Sequence, residues 1–101
     1  MITVRTYETE DENIIEIKGH ANFAPKGKDI VCATITGIVL LAGEICREYN
    51  GTSEISEGFA EFHFIKSYES EKFLFCFINV IEHIAEEYGD WIQLLEGATD
   101  E

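Results

Sequence analysis

The sequence GHANFAPKGKDIVCATITG, residues 19–37, gathers residue types that are scattered elsewhere in this chain of 101 residues. It contains the only proline, one of the three histidines and one of the three cysteines. An alternating apolar segment leads into it, and a segment with helical spacing leads out of it. The stretch therefore predicts a strand end, a loop and a helix start in direct succession, and the rest of the fold extends from these elements.

Two strands are predicted before this stretch. Residues 2–8 alternate apolar and polar side chains, and residues 13–18 carry isoleucine at alternate positions after the polar turn ETEDEN. Such alternation is typical of half-buried strands, and a short polar connection between two of them indicates a hairpin. The second strand delivers Gly19 and His20 at its end.

The loop that follows is predicted over Ala21–Lys28. It contains Pro25 and Gly27, which are strong turn formers, and it lacks apolar periodicity. We therefore expect this loop to be exposed and mobile. If a site lies between its two ends, the loop shapes the entrance to that site.

A long helix is predicted after the loop. From Asp29 the apolar residues recur at steps of four and three, which is the spacing of one helical face. The β-branched residues at 34–39 lower the helix propensity, but a strand of about 20 residues would be far longer than usual. Asp29 is a preferred N-cap, so Cys32 falls in the first turn, and the helix ends at residues 50–51.

The second half of the chain predicts a further hairpin, a further helix and a final strand. Residues 54–56 and 59–65 form the hairpin, and Ser70–Tyr88 carries a wide apolar helical stripe. Gly89 follows at the position where a left-handed C-terminal cap is expected. Residues 91–95 close the chain as a short strand.

The predicted order of elements is ββαββαβ. This order indicates an α+β fold, with a single layer of mixed, mostly antiparallel sheet and two helices packed on one face. The length suits one core, so we expect residues 1–101 to form a single domain.

Charge and composition narrow the function classes. Twenty acidic and seven basic residues give a net charge of -13, which argues against a nucleic-acid ligand and favours a basic partner. We find neither an apolar run long enough for a membrane span nor a signal peptide at the start. Three well-separated cysteines fit a reducing compartment, so a cytoplasmic location is expected.

The best candidate for chemistry is Cys32 paired with His20. A thiol in the first helical turn lies near unpaired N–H groups and the positive end of the helix dipole, which favour the reactive thiolate. A histidine at the end of the preceding strand could accept its proton, and the N–H groups could hold an oxyanion, which together suffice for acyl transfer. Asp29 is assigned first to the N-cap, and a second role in orienting His20 stays open.

Other interpretations of these residues remain open. A free cysteine is often a small buried hydrophobe, and Cys46 and Cys76 are interpreted as packing residues. Zinc-ligand spacings and phosphate-binding glycine motifs are missing from the sequence, so we expect neither a metal nor a cofactor. His63 and His83 are expected at surface or hydrogen-bonded positions.

With these residues in place, the stretch resembles the signature of the ribosomal-processing cysteine protease family Prp. The family pattern is G-H-A, a variable loop, and then G-x-D-[IV]-[VL]-C-A. This sequence supplies all nine specified positions: Gly19, His20, Ala21, Gly27, Asp29, Ile30, Val31, Cys32 and Ala33. Length and element order also agree, so the resemblance covers essentially the whole chain.

The resemblance implies a bacterial endopeptidase that removes the N-terminal extension of the large-subunit ribosomal protein numbered twenty-seven. It also implies a Cys32/His20 catalytic dyad, a homodimer and a flexible gating loop at Ala21–Lys28. Gly19, Asp29 and Thr36 are the predicted supporting residues. Thr36 is a departure, because the family commonly has serine four residues after the nucleophile.

Two rival functions remain open at this stage. The first is a non-catalytic interaction module in ribosome assembly, whose acidic surface docks a basic protein. The second is a redox-sensing thiol, which is disfavoured because no resolving cysteine lies near Cys32 in the sequence.

Overall fold

A computed structural model of the protein describes residues 1–25 and 27–96. Within these residues five strands and two helices follow in the predicted order ββαββαβ. They are β1 (Ile2–Glu8), β2 (Glu12–Gly19), α1 (Ile30–Glu48), β3 (Thr52–Ser56), β4 (Phe59–Ile65), α2 (Tyr68–Tyr88) and β5 (Ile92–Glu96). Lys26 of the predicted loop and residues 97–101 of the predicted domain lie outside the described residues.

The strands form one mixed sheet in the order β3-β4-β2-β1-β5. Antiparallel pairs join β1 to β2, β2 to β4 and β3 to β4, and the one parallel pair in the described sheet joins β1 to β5. The predicted α+β class and the mostly antiparallel sheet are confirmed. The order also places the β3–β4 hairpin beside β2, which is the strand that delivers His20.

One face of the sheet and both helices form the hydrophobic core. The register aligns Val4 with Ile17 and Ile15 with Phe62, so alternate residues of three strands meet on this face. Full burial of such a side chain contributes about 1.5–3 kcal/mol. The helices add to the same cluster of buried side chains Val31, Ile35, Ala42, Cys46, Phe77 and Ile81.

Helix α1 begins where the sequence predicts and ends at Glu48, two residues before the predicted end at residues 50–51. Asp29 is its N-cap, and the Asp29 carboxylate accepts a hydrogen bond from the Cys32 N–H at 2.9 Å. At the other end Asn50 has a φ of 62°, and the Gly51 N–H donates to the carbonyl oxygen of Cys46 at 2.8 Å. This pair of features is the left-handed termination that closes many helices.

Helix α2 begins two residues before the predicted Ser70. Ser67 caps it, because its hydroxyl accepts from the Ser70 N–H at 3.0 Å and the Ser70 hydroxyl accepts from the Ser67 N–H at 3.0 Å. This reciprocal capping box includes Tyr68 and Glu69 in the helix.

The predicted left-handed cap at Gly89 is wrong. Gly89 has φ -62° and ψ -19°, which are right-handed values. The backbone continues through a turn in which the Trp91 N–H donates to the Tyr88 carbonyl at 2.9 Å, so no reversal of hand is needed. A Cβ at this position would lie 2.8 Å from the carbonyl oxygen of Ala85, which accounts for a glycine on steric grounds.

Helix α1 bears on the sequence interpretation that no stretch could span a membrane. It has 19 residues and contains an 18-residue window with a mean hydropathy of 1.8, which is long and apolar enough by length and composition alone. Core helices pass the same test. The buried residues Val31, Ile35 and Ala42 place one face of α1 in the core of the fold.

Candidate active site

The backbone of His20 is fixed from two sides as it leaves β2. The Gly19 N–H donates to the carbonyl oxygen of Gly58 at 2.9 Å, and the main-chain nitrogen of Met1 donates to the carbonyl oxygen of His20 at 2.7 Å. Gly19 has a φ of 100°, and a Cβ there would collide with the carbonyl oxygen of Met1. Glycine is therefore required immediately before the histidine.

Cys32 is the third residue of α1, and its side chain is half-buried. The Ala21 N–H points at it, with 3.5 Å between the nitrogen and Sγ. Because Ala21 directly follows His20, this contact brings the two ends of the loop together.

Asp29 links the helix start to the loop. One carboxylate oxygen accepts from the Cys32 N–H, and the other accepts from the N–H groups of Phe23 at 2.9 Å and Ala24 at 3.4 Å. The bond from Cys32, helped by those from Phe23 and Ala24, holds the pKa of Asp29 below its ordinary value. Both oxygens are thus engaged by main-chain donors, and among the described residues no hydrogen bond joins Asp29 to His20.

The first half of the loop is anchored, which corrects the expectation of a wholly exposed loop. Ala21 is buried, and the Phe23 ring packs edge-on against Trp91 at 4.7 Å and Tyr88 at 5.8 Å between ring centroids. Such edge-to-face pairs are the preferred aromatic geometry. Phe23 therefore ties the loop to the end of α2 and the start of β5.

In the second half of the loop Pro25, Gly27 and Lys28 are exposed, as predicted. The Lys28 N–H donates to the Pro25 carbonyl at 2.9 Å and closes a tight turn. Gly27 has a φ of 90° with no atom within 4 Å of a Cβ built on it. These residues border the site without contributing to the core, and their mobility stays a prediction.

Thr36 lies one helical turn after Cys32, on the same side of α1. Its hydroxyl donates to the carbonyl oxygen of Cys32 at 2.8 Å. This local bond is common for threonine inside helices and commits the hydroxyl hydrogen to the backbone.

Two cavities adjoin at the thiol. The first, of about 270 Å³, is mostly apolar and lies between α1 and the β3–β4 hairpin, and the second, of about 500 Å³, lies against the loop. Four residues line both cavities: His20, Cys32, Thr36 and Glu57. Cys32 and His20, the dyad predicted from the sequence, thus lie together with Thr36 at the boundary between the two cavities.

The β3–β4 turn, Glu57–Gly58, is the part of the site that the sequence interpretation missed. The pattern EG between two apolar strands predicts the turn itself. Its place beside His20 follows from the strand order, which no local pattern reveals.

The other two cysteines differ from each other. Cys46 is buried, its Sγ donates to the carbonyl oxygens of Thr52 and His63, and burial raises the pKa of this thiol. It packs as predicted. Cys76 is exposed on α2, so its assignment to packing is wrong, because this helical position faces away from the sheet.

Within residues 1–25 and 27–96, no group of three or more histidine, cysteine or acidic side chains is arranged to hold a metal ion. His63 is hydrogen-bonded to Glu12 and Glu61, and His83 is exposed, which agrees with the positions predicted for both. Of the described cysteines and histidines, Cys32 and His20 are the two that line both cavities.

A half-buried thiol at a helix start and an imidazole on the wall of the same cavity are the groups with which cysteine hydrolases work. The fold and this site thus point to that class of protein. The chain belongs to the cysteine protease Prp family, whose sequence model matches residues 1–93. The predicted family and the predicted class of enzyme, a thiol protease and hence a hydrolase, are confirmed.

Individual relatives agree with this assignment. The ribosomal processing cysteine protease Prp of Mycoplasma genitalium is 64% identical over 28 residues, which is 28% of this chain and 28% of that relative. A crystal structure of Prp from S. aureus with a covalently linked product peptide has a TM-score of 0.79 at 23% identity, covering 95% of this chain and 99% of the other.

A second solved structure, SMU.848 from Streptococcus mutans, has a TM-score of 0.69 at 19% identity. The match covers 98% of this chain and 96% of the S. mutans chain. At such identities the two structural matches establish the fold, while the family assignment rests on the sequence.

Proposed function

We propose that this protein is an endopeptidase that removes the N-terminal extension of the large-subunit ribosomal protein numbered twenty-seven. Cys32 is the nucleophile and His20 is the general base. One observation carries the proposal: the thiol and the imidazole line the same two adjoining cavities, and the Ala21 N–H points at the sulfur. The S. aureus relative, which has been crystallised with a substrate peptide, supports peptide cleavage as the reaction.

The reaction runs through a thioester. The Cys32 proton passes to His20, and the sulfur attacks the peptide carbonyl to form a tetrahedral oxyanion. The C–N bond breaks, and the amine leaves with the proton from the His20 imidazolium. Water then attacks the thioester while His20 takes its proton, the C–S bond breaks, and the carboxylic acid and free thiol are released.

The Ala21 N–H is the donor that we assign to the oxyanion. The Cys32 N–H is already bonded to the Asp29 carboxylate, and the Ala33 N–H to the Asp29 carbonyl at 3.0 Å. The Ala21 N–H lies beside the sulfur, close to the point where a carbonyl oxygen becomes charged. Its position depends on the anchored first half of the loop.

The two cavities separate the two sides of the cleaved bond. The apolar cavity, lined by side chains such as Ile35, Val39 and Ile55, accepts an apolar side chain of the extension. The cavity against the loop receives the other side of the substrate. A net charge of -13 attracts a basic ribosomal protein.

Further features follow from the family resemblance. We propose a cytoplasmic location, a homodimer, the ribosomal protein precursor as substrate, and no contact with nucleic acid. The strongly acidic composition supports the last of these points, because phosphate binding requires clustered basic residues.

The test is cleavage of the ribosomal protein precursor by four proteins: the native sequence, Cys32→Ala, His20→Ala and Cys76→Ala. Cys76 is the matched control, because it is an exposed thiol that lines neither cavity. We expect trimming by the native sequence and by Cys76→Ala, and its loss in the other two. Undiminished trimming by Cys32→Ala rejects the mechanism, and precursor binding without cleavage by the native sequence favours the interaction module.

A further inference from the structure

The β3–β4 turn approaches the imidazole of His20 through a residue that has no side chain. Gly58 is half-buried and has a φ of 72°. A Cβ built on it would lie 2.7 Å from Nε2, 3.3 Å from Cε1 and 3.5 Å from Cδ2 of His20. The ring thus occupies the space in which any L side chain at this position would begin.

The backbone fixes this approach. The carbonyl oxygen of Gly58 accepts from the Gly19 N–H at 2.9 Å, and the register pairs Phe59 with Lys18 just before. The turn is therefore tied to the strand residue that immediately precedes His20. These bonds hold the backbone of the turn beside His20, whereas the exposed His20 ring can still rotate about its own side-chain bonds.

Turn geometry alone does not account for a glycine here. Asparagine tolerates a left-handed backbone, and in this protein Asn22 and Asn50 adopt φ values of 58° and 62°. A φ of 72° at position 58 could therefore be satisfied by asparagine. Position 58 differs from position 50 because a Cβ at position 58 would collide with the His20 imidazole.

We infer that Gly58 is a positioning residue: its missing side chain leaves the space that the His20 ring occupies, and this sets where the base stands relative to Cys32. The inference rests on the proposed role of His20 as general base. Among the described residues no hydrogen bond joins the exposed His20 ring to Cys32 Sγ, so the inference rests on the contact between the ring and the turn.

Gly58→Asn is the informative change, because asparagine keeps the turn conformation and adds the Cβ. The ring must then leave its place. Misplacement of a catalytic group by about 1 Å can cost about 100-fold in rate. We expect kcat on the precursor to fall about 10- to 100-fold with KM changed less than about threefold, since the apolar side chains Ile35, Val39 and Ile55 of the first cavity are unchanged.

The experiment also measures the packing directly, by a double-variant cycle on the free energy of unfolding. Gly58→Asn is compared in the native sequence and in His20→Ala, and Gly58→Ala serves as a second variant in both backgrounds. With the ring removed the added Cβ meets no obstacle, so we expect a smaller loss of stability in the His20→Ala background. The imidazole resonances of His20, followed against pH by NMR, are expected to shift in Gly58→Asn.

Equal losses in both backgrounds together with unchanged His20 resonances overturn the inference. Neither readout requires protease activity. If His20→Ala retains full activity while the cycle shows coupling, the proposed base is wrong and the packing of Gly58 on His20 stands. If Gly58→Asn keeps its kcat despite coupling, the positioning role is rejected.

Discussion

Replacing Phe23 with alanine is expected to release the first half of the loop from the core. The change removes two edge-to-face contacts, to Trp91 at 4.7 Å and to Tyr88 at 5.8 Å. Each such pair is worth about 0.5–1.5 kcal/mol beyond its buried area, so the free energy of unfolding should fall by about 1–3 kcal/mol. For a domain of this size each kcal/mol lowers Tm by about 4–8 °C.

The same change should impair catalysis more than binding. Phe23 N–H bonds to Asp29, and the neighbouring Ala21 N–H points at Cys32 Sγ, so a released loop loses the donor that we assign to the oxyanion. Loss of one such donor typically costs about 100- to 1,000-fold in kcat. Because the loop retains part of its other contacts, we expect a fall of at least about tenfold.

Thermal unfolding and precursor cleavage are measured in parallel, with Phe75→Ala as the matched control. Phe75 exposes 65% of its surface on α2, so its truncation should change Tm and kcat little. The reasoning is refuted if Phe23→Ala lowers Tm no more than Phe75→Ala. It also fails if the Phe23 variant, tested below its Tm, cleaves at the native rate.

Three further changes test individual contacts. The lowered pKa of Asp29 gives stability that is present above the ordinary aspartate pKa and lost as pH falls through the lowered value. The difference in the free energy of unfolding between the native sequence and Asp29→Asn, measured with urea, should therefore disappear in acid. Burial opposes the charged form of His63, but hydrogen bonds to Glu12 and Glu61 raise its pKa above the ordinary value of ~6.5. The difference in the free energy of unfolding between the native sequence and His63→Gln should therefore be widest near pH 6 and shrink as pH rises through the raised pKa. A difference that stays constant with pH contradicts this. Gly51→Ala places a Cβ 2.6 Å from Cys46 Sγ and should cost about 1–3 kcal/mol in chemical unfolding, and an unchanged midpoint contradicts the packing.

Local features of the fold were predictable because local chemistry decides them. Asp29 caps α1 since its carboxylate reaches the Cys32 N–H three residues on, and alternation places β1, β2 and β4 correctly. The sequence pattern does not single out Ser67 as a cap, because the apolar periodicity of α2 begins later in the helix. The error at Gly89 has the same origin, since a glycine after a helix predicts a left-handed cap only when the chain reverses its hand there.

The missing parts of the site depend on tertiary contacts. The sequence around Phe23 predicts only a loop, because its ring contacts with Tyr88 and Trp91 form only in the tertiary structure. The sequence around Gly58 predicts only a turn, because its contact with His20 depends on the strand order that places β4 beside β2. The motif therefore identifies the reacting side chains, whereas the sheet order determines what holds them.

The most direct measurement is the intact mass of the protein after rapid mixing with a peptide that spans the N-terminal extension, followed by acid quench. Formation of a thioester predicts an added mass equal to that of the released extension fragment less one water, located on the segment containing Cys32, and its absence in Cys32→Ala. Cleavage that proceeds in Cys32→Ala, or an adduct on Cys46 or Cys76 alone, contradicts the assignment of Cys32 as the nucleophile.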